Sequence, residues 1–93
     1  MKTRFYRDRE TDEPHIYRHG VTEGEVEEVL SRPMEDRVGR EGARVASGRT
    51  RGGRYLRVIY VPESEADSVF VVTAYEIGPK ARRALLKRRR KKP

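Results

Sequence analysis

The spacing of apolar residues changes near Pro33, and this change divides the chain into a helical part followed by a part made of strands. Before Pro33, apolar residues recur every three or four positions, as they do on one face of an α-helix. Thr22 and Glu25 are spaced as a capping box, which satisfies free amide groups at a helix start. The pattern predicts a helix over residues 22–31, with an apolar stripe formed by Val26, Val29 and Leu30.

After Pro33 the apolar residues recur at every second position, which is the period of a half-buried strand. The segments are separated by turns of hairpin length, so we expect an antiparallel meander. The last segment is almost entirely apolar or β-branched, as expected of a central strand covered on both faces. The predicted strands are 34–38, 43–49, 55–61 and 68–76. In the third strand one face carries Leu56, Val58 and Tyr60, and the other carries Tyr55, Arg57 and Ile59.

Three weaker signals complete the predicted fold. Residues 3–7 are interpreted as a short strand, and a short helix is predicted to begin with Asp12 as its cap and to stop at Gly20. A last helix begins at Gly78 and Pro79, because proline suits the first turn of a helix. The fold class is therefore predicted as α+β, with an antiparallel four- to five-stranded meander sheet, N-terminal helices packed on one face and a C-terminal helix.

The composition indicates one small domain. The chain has 93 residues, of which 34% are hydrophobic and 40% are charged, so the core must be small. We expect a single domain over residues 1–86 and a basic disordered tail over 87–93. A domain this polar is marginally stable alone, so a partner or a homodimer would stabilise it.

The residue types that are missing narrow the chemistry. The absence of cysteine excludes disulfides, zinc–thiolate sites and thiol nucleophiles, and it fits a reducing cytoplasm. No apolar run reaches membrane-spanning length and the start of the chain has no apolar leader, so neither a membrane location nor a signal peptide is expected. No set of carboxylates and histidines has metal-ligand spacing, so neither a metal nor another cofactor is expected.

Positive charge is concentrated in two regions of the sequence. Nine Lys and Arg residues and no acidic residue lie between Lys80 and Lys92. Seven arginines and one acidic residue, Glu41, lie between Arg37 and Arg57. Clustered cations attract polyanions more strongly than interspersed ones do. The pattern therefore favours a polyanionic partner, either a nucleic acid or an acidic protein.

One enzymatic reaction suits the residue types that remain. Metal-independent cleavage of RNA needs a base for the 2′-OH proton, an acid for the departing 5′-oxygen and cations around the phosphorane. Histidine, tyrosine, glutamate, lysine and arginine can supply all three functions. The sequence carries no glycine-rich phosphate loop and no serine or cysteine nucleophile pattern that would favour another reaction.

Two motifs resemble a known family. The first is Arg18-His19-Gly20-Val21 before the acidic helix, and the second places Gly48, Thr50, Gly53, Arg54 and Leu56 around a hairpin. In this order and spacing they resemble the BrnT-type toxins and neighbouring uncharacterised domains of the RelE-like ribonuclease superfamily, over about residues 3–80. Thr73-Ala74-Tyr75 stands where those toxins usually have Ser-Ala-Arg. The resemblance implies an α+β RelE-like fold, cleavage of RNA free or on the ribosome, and a small antitoxin partner.

The resemblance also suggests roles for individual residues. His19 would act as the base or orient it, Arg54 would stabilise the phosphorane together with Arg49, and Tyr75 would act as the acid. These make His19, Arg54 and Tyr75 the candidate catalytic residues. The candidate RNA-binding residues are Arg49, Arg51, Arg57, Lys80 and Arg83.

Other interpretations of the same residues remain open. His19 is equally well placed to end a helix favourably, and Arg57 either faces a nucleic acid or pairs with an acid of helix 22–31. The whole chain could be a non-catalytic RNA- or ribosome-binding module that uses the same basic surface. It could also be an interaction domain that binds an acidic, antitoxin-like protein.

Overall fold

A computed structural model describes residues 2–65 and 67–91 as a mixed five-stranded sheet with helices on both of its faces. The strands lie in the order β1-β5-β4-β3-β2. In chain order the elements are β1 (Lys2–Phe5), a 3₁₀ helix (His15–His19), α1 (Glu23–Ser31), β2 (Glu35–Val38), β3 (Arg44–Arg49), β4 (Tyr55–Pro62), β5 (Ser68–Glu76) and α2 (Pro79–Lys91).

Helix α1 has the capping box that the sequence predicts. The Thr22 hydroxyl accepts a hydrogen bond from the Glu25 amide at 3.1 Å, and the Glu25 carboxylate accepts one from the Thr22 amide at 3.0 Å. Val21 and Val26 are both buried on either side of this cap, as a hydrophobic staple requires. The helix prediction is therefore confirmed to within one residue at its start.

The first helical segment differs from its prediction. It is a 3₁₀ helix that begins after Pro14, without a side-chain cap, and Asp12 lies outside it in the left-handed region at φ 57°. Gly20 ends this helix at φ 69°, as expected of a residue in that position. Ile16 is the buried residue of this five-residue helix, and its side chain packs into the core and holds the helix against the sheet.

Strands β2 to β5 form the predicted antiparallel meander, but β1 does not follow it. β1 lies parallel to β5, with Lys2 opposite Ser68 and Phe5 opposite Val71. The prediction of an all-antiparallel sheet is therefore wrong at this edge. The meander ends with β5 beside β1, and β5 runs in the same direction as β1.

One face of the sheet, here called the core face, is covered by α1 and the 3₁₀ helix. The buried residues of this core are Ile16, Val21, Val26, Val29, Ala46, Leu56, Val58, Tyr60, Val71 and Ala74. Gly48 lets α1 approach β3 closely, because a Cβ atom at this position would lie 3.3 Å from Val29 Cγ1. Leu56 and Val58 of β4 point into this core. Because successive side chains of a strand alternate, Arg57 between them points to the opposite side of the sheet.

That opposite side, here called the second face, carries Tyr55, Arg57 and Tyr75 and is crossed by α2. Leu85 is fully buried among the described side chains of α2. Arg88 binds the Glu35 carboxylate with two hydrogen bonds of 2.8 and 2.9 Å. These contacts hold α2 over the end of the sheet near the β3–β4 hairpin.

Helix α2 extends further than the sequence predicts. A disordered tail is expected from residue 87, yet the helix continues to Lys91. Arg88 on Glu35 and Arg89 on the Met34 carbonyl oxygen, at 2.9 Å, anchor this segment to the domain. The rest of the predicted tail, residues 92–93, lies outside the described residues.

Candidate functional site

A row of four rings runs from the end of β1 to the second face of the sheet. The ring centroids are 5.9 Å apart for Tyr6 and His15, 5.2 Å for His15 and His19, and 6.2 Å for His19 and Tyr75. All three contacts are edge-to-face. The fold therefore brings together His19 and Tyr75, which are 56 positions apart in the sequence and were both candidate catalytic residues.

Asp8 anchors this row at the 3₁₀ helix. Its carboxylate lies 2.9 Å from His15 Nδ1 and accepts a hydrogen bond from Arg18 Nε at 2.7 Å. The hydrogen bond with His15, supported by Arg18, holds the pKa of Asp8 below its ordinary value of 3.8 despite partial desolvation. Asp8 thus fixes the orientation of His15, whose ring contacts that of His19.

The depressed pKa of Asp8 predicts a pH-dependent contribution to stability. A carboxyl group with a lower pKa in the folded than in the unfolded state stabilises the fold above the ordinary pKa, and this effect is lost as the pH falls through the folded-state value. Asp8→Asn should therefore lower the melting temperature at pH 7, and the difference from wild type should shrink below about pH 4. Thermal unfolding across this pH range measures the effect.

Asp12→Asn is the matched control for this measurement. The Asp12 side chain is 89% exposed and contacts Arg7 at 3.4 Å, so its loss should change the melting temperature little at any pH. An Asp8 variant with a constant deficit from pH 7 to pH 3 would show that the carboxylate charge is not the cause.

Arg57 occupies the second face directly beside this row. It lies opposite Tyr75 on β5 and opposite Ser47 on β3. Its Nε is buried and has no hydrogen-bond partner within the described part of the chain. The interpretation that Arg57 pairs with an acid of helix α1 is wrong, because α1 covers the other face of the sheet.

A second polar atom on this face also lacks a partner. Thr73 lies opposite Ile59, two residues before Tyr75, and its Oγ1 is buried without a hydrogen bond to any described residue. Buried polar atoms are nearly always hydrogen-bonded in native proteins. The Arg57 nitrogen and the Thr73 hydroxyl are therefore two exceptions to this rule on the same face of the sheet, within the described residues.

Arg54 lies on the other side of the sheet from Arg57. Its Nη1 donates to both oxygens of Glu25, at 2.9 and 3.0 Å, and to the Gly20 carbonyl at 3.0 Å. Its Nη2 lies 3.4 Å from Glu76 Oε1. Two carboxylates therefore neutralise this guanidinium, and it connects the start of α1, β4 and the end of β5.

The pKa of Glu25 reflects this arrangement. Burial alone would raise the pKa, but hydrogen bonds from the Thr22 amide and from Arg54 outweigh burial and leave the pKa below the ordinary value. Glu25 thus stays ionised while it serves the helix cap and the ion pair together. The predicted role of Arg54 in stabilising a phosphorane is not supported by this geometry.

The other predicted cations are exposed residues of β3, of the β3–β4 hairpin and of the start of α2. Arg49 is opposite Tyr55 in the sheet, and its Cζ lies 5.9 Å from the centroid of the Tyr55 ring. Arg51 is exposed in the hairpin, where its backbone amide donates to Glu28. Lys80 and Arg83 are exposed at the start of α2. The described residues place no carboxylate within ion-pair distance of these four cations.

Several residues of this region were not identified as site residues from the sequence, although the sequence pattern indicates the position of two of them. Arg82 lies three positions before buried Leu85, so it shares the face of α2 that turns to the sheet. Tyr55 alternates with core residues on β4, which places it on the Arg57 face. Asp8 and the contact of His15 with His19 depend on the turn before the 3₁₀ helix, which has no periodic pattern.

Comparisons with protein-family models, with curated proteins and with solved structures found no match to this chain. Within the described residues, no three His, Asp or Glu side chains are grouped so that they could hold a metal ion. None of the helices in the described part combines the length and apolar character needed to cross a membrane.

Proposed function

We propose that this chain is a metal-independent endoribonuclease with a RelE-like fold, acting as the cytoplasmic toxin of a toxin–antitoxin pair. The observation that carries the proposal is the contact between the His19 and Tyr75 rings beside Arg57, whose buried Nε lacks a partner among the described residues. A proton acceptor and a proton donor are in ring contact, and a cation for which the described residues provide no carboxylate lies opposite the donor in the sheet. This is the minimum set for cleavage of RNA by its own 2′-OH.

In the proposed reaction, neutral His19 accepts the 2′-OH proton as the 2′-oxygen attacks phosphorus. The bond from phosphorus to the 5′-oxygen breaks, and the Tyr75 hydroxyl gives its proton to that oxygen. The products are a 2′,3′-cyclic phosphate and a free 5′-OH. Arg57 binds the non-bridging oxygens, whose negative charge increases in the phosphorane.

We propose roles for the arginines that differ from those implied by the resemblance. Arg57 takes the phosphorane-stabilising role that the motif suggests for Arg54, because Arg54 already binds Glu25 and Glu76. Lys80 and Arg83 contribute positive potential at the rim of the face, which attracts a polyanion without specifying its sequence.

The test is incubation of the purified chain with total RNA in the presence of EDTA. Wild type should yield fragments with 5′-OH and cyclic-phosphate ends, and induction of the chain should arrest bacterial growth. Tyr75→Phe and His19→Ala should each reduce cleavage at least about 100-fold, as loss of an acid or base does. An RNA with 2′-deoxy substitutions throughout should resist cleavage. Full activity of the His19→Ala/Tyr75→Phe double variant would refute the proposal.

A non-catalytic RNA-binding module is the second candidate. It is favoured by Tyr75 in place of the arginine that the toxins carry, and by the exposure of His19. In this case wild type should bind RNA without cleaving it. The logarithm of the binding constant should fall with log[salt] by about 0.7 for each phosphate contacted on a single strand. A binding constant independent of salt would reject this candidate.

A further inference from the structure

Two arginines from different elements meet at one aromatic ring on the second face. Arg49 Cζ lies 5.9 Å and Arg82 Cζ lies 5.6 Å from the centroid of the Tyr55 ring. Both side chains belong to exposed residues, and the described residues place no carboxylate within ion-pair distance of either one. By contrast, other arginines of the chain bind carboxylates, among them Arg4, Arg18, Arg44, Arg54 and Arg88.

The positions of both arginines are set by the fold. Arg49 is the residue opposite Tyr55 in the β3–β4 register, and its Nη2 lies 3.5 Å from where a Cβ of Gly53 would be. Gly53 has φ +92°, which favours glycine and leaves the hairpin backbone open to the guanidinium. Arg82 is brought over the ring by α2, whose Leu85 is buried one turn later.

Two guanidinium groups beside one ring concentrate positive charge, and concentrated positive charge attracts an anion. The face of an aromatic ring attracts a guanidinium but leaves its net charge in place. A phosphate accepts short, charge-assisted hydrogen bonds from guanidinium groups, and arginine is particularly suited to this contact. The arrangement therefore suits a phosphate more than a neutral group.

We infer that Arg49, Tyr55 and Arg82 form a second phosphate-binding subsite, which takes the phosphodiester next to the scissile one. This inference rests on the proposed function. Tyr55 and Arg57 are two residues apart on one face of β4, a separation of about 7 Å along the strand. The two phosphate sites are then neighbours along β4. The substrate would be a single-stranded oligonucleotide of at least three nucleotides, because a dinucleoside monophosphate has one phosphate and cannot fill both sites.

The first experiment measures the binding of a fluorescent, 2′-O-methylated single-stranded RNA as a function of salt. The slope of log K against log[salt] is negative, and Arg49→Gln/Arg82→Gln should make it shallower by about 0.7, for the one phosphate contact that is lost. Arg9→Gln/Arg40→Gln is the matched control, because it removes the same charge from exposed residues of distant turns. The control should retain the wild-type slope.

The second experiment compares the cleavage of a trinucleotide and of a dinucleoside monophosphate. Wild type and the control should cleave the trinucleotide at least about tenfold more efficiently, measured as kcat/KM. The Arg49/Arg82 variant should lose this preference, because it no longer binds the second phosphate. Each ratio is measured within one variant, so a change in folded fraction cancels.

The outcomes separate this subsite from the proposed function. Continued RNA cleavage by the Arg49/Arg82 variant, with unchanged salt slope and unchanged length preference, would overturn the subsite and leave the ribonuclease proposal intact. Binding without cleavage, with a slope that falls only in this variant, would retain the subsite and reject the ribonuclease. A wild-type chain that neither binds nor cleaves RNA would overturn both.

Discussion

Replacement of Arg54 by methionine is expected to lower the free energy of unfolding by about 2 kcal/mol. The change leaves Glu25, the Gly20 carbonyl and Glu76 without their shared donor. The side chains of Arg54 and Glu25 are 30% and 21% exposed, so the loss should be smaller than for a fully buried ion pair. Chemical denaturation of the variant and of wild type at pH 7 measures the difference.

The control for Arg54 is Arg4→Met. Arg4 binds Glu63 at 2.7 Å, but its side chain is 66% exposed, so its loss should cost less than about 1 kcal/mol. Affinity for RNA should change little in Arg54→Met, because both terminal nitrogens of Arg54 already contact carboxylates. Unchanged stability together with lost RNA binding would contradict this interpretation and return Arg54 to the candidate site.

The predictable parts of the fold are those fixed by neighbouring residues. The capping box of Thr22 and Glu25 is a local contact, so it fixes the start of α1 from sequence alone. Alternation in β4 likewise separates Leu56 and Val58 from Arg57, because successive side chains of a strand point to opposite faces. Chain-end features such as the length of α2 depend on distant partners and could not be predicted.

The orientation of β1 shows why long-range pairing escapes sequence analysis. β1 has four residues and pairs with a strand that begins at Ser68. A segment this short has no hydrophobic pattern strong enough to select a partner or a direction. Its parallel alignment follows from the path of all the chain between the two strands, which local propensity does not determine.

The candidate site was only partly predictable for the same reason. The resemblance groups Arg54 with the candidate catalytic residues, but Glu25 and Glu76 bind it on the core-face side of the sheet. Arg57 was identified as a candidate, but one of its two interpretations paired it with an acid of α1, which covers the opposite face of the sheet. Arg54 is paired and Arg57 is not because α1 covers the Arg54 side of the sheet, and the sequence pattern does not show which face α1 covers.

Arg54 and Arg57 therefore offer a sharp comparison within one strand region. They are three positions apart, with Arg54 just before β4 and Arg57 within it, and they lie on opposite sides of the sheet. One is neutralised by two carboxylates, and the other has a buried Nε without a partner in the described chain. Methionine at position 54 should therefore lower stability, whereas methionine at position 57 should lower RNA cleavage without lowering stability.

Arg57→Met is expected to reduce RNA cleavage at least about 100-fold, as the loss of one preorganised donor at a developing oxyanion does. Its free energy of unfolding should stay the same or increase, because the substitution removes a buried nitrogen that has no partner among the described residues. Single-turnover cleavage and chemical denaturation of the same preparation measure the two effects. Functional residues often show this opposition between activity and stability.

Arg37→Met is the control, because it removes the same charge from an exposed residue of β2 on the same face of the sheet as Arg57. Its cleavage rate should stay close to that of wild type. If Arg57→Met instead destabilised the fold while the remaining folded protein cleaved RNA normally, Arg57 would be a structural residue. The second face would then lack the cation that the proposed reaction requires beside His19 and Tyr75.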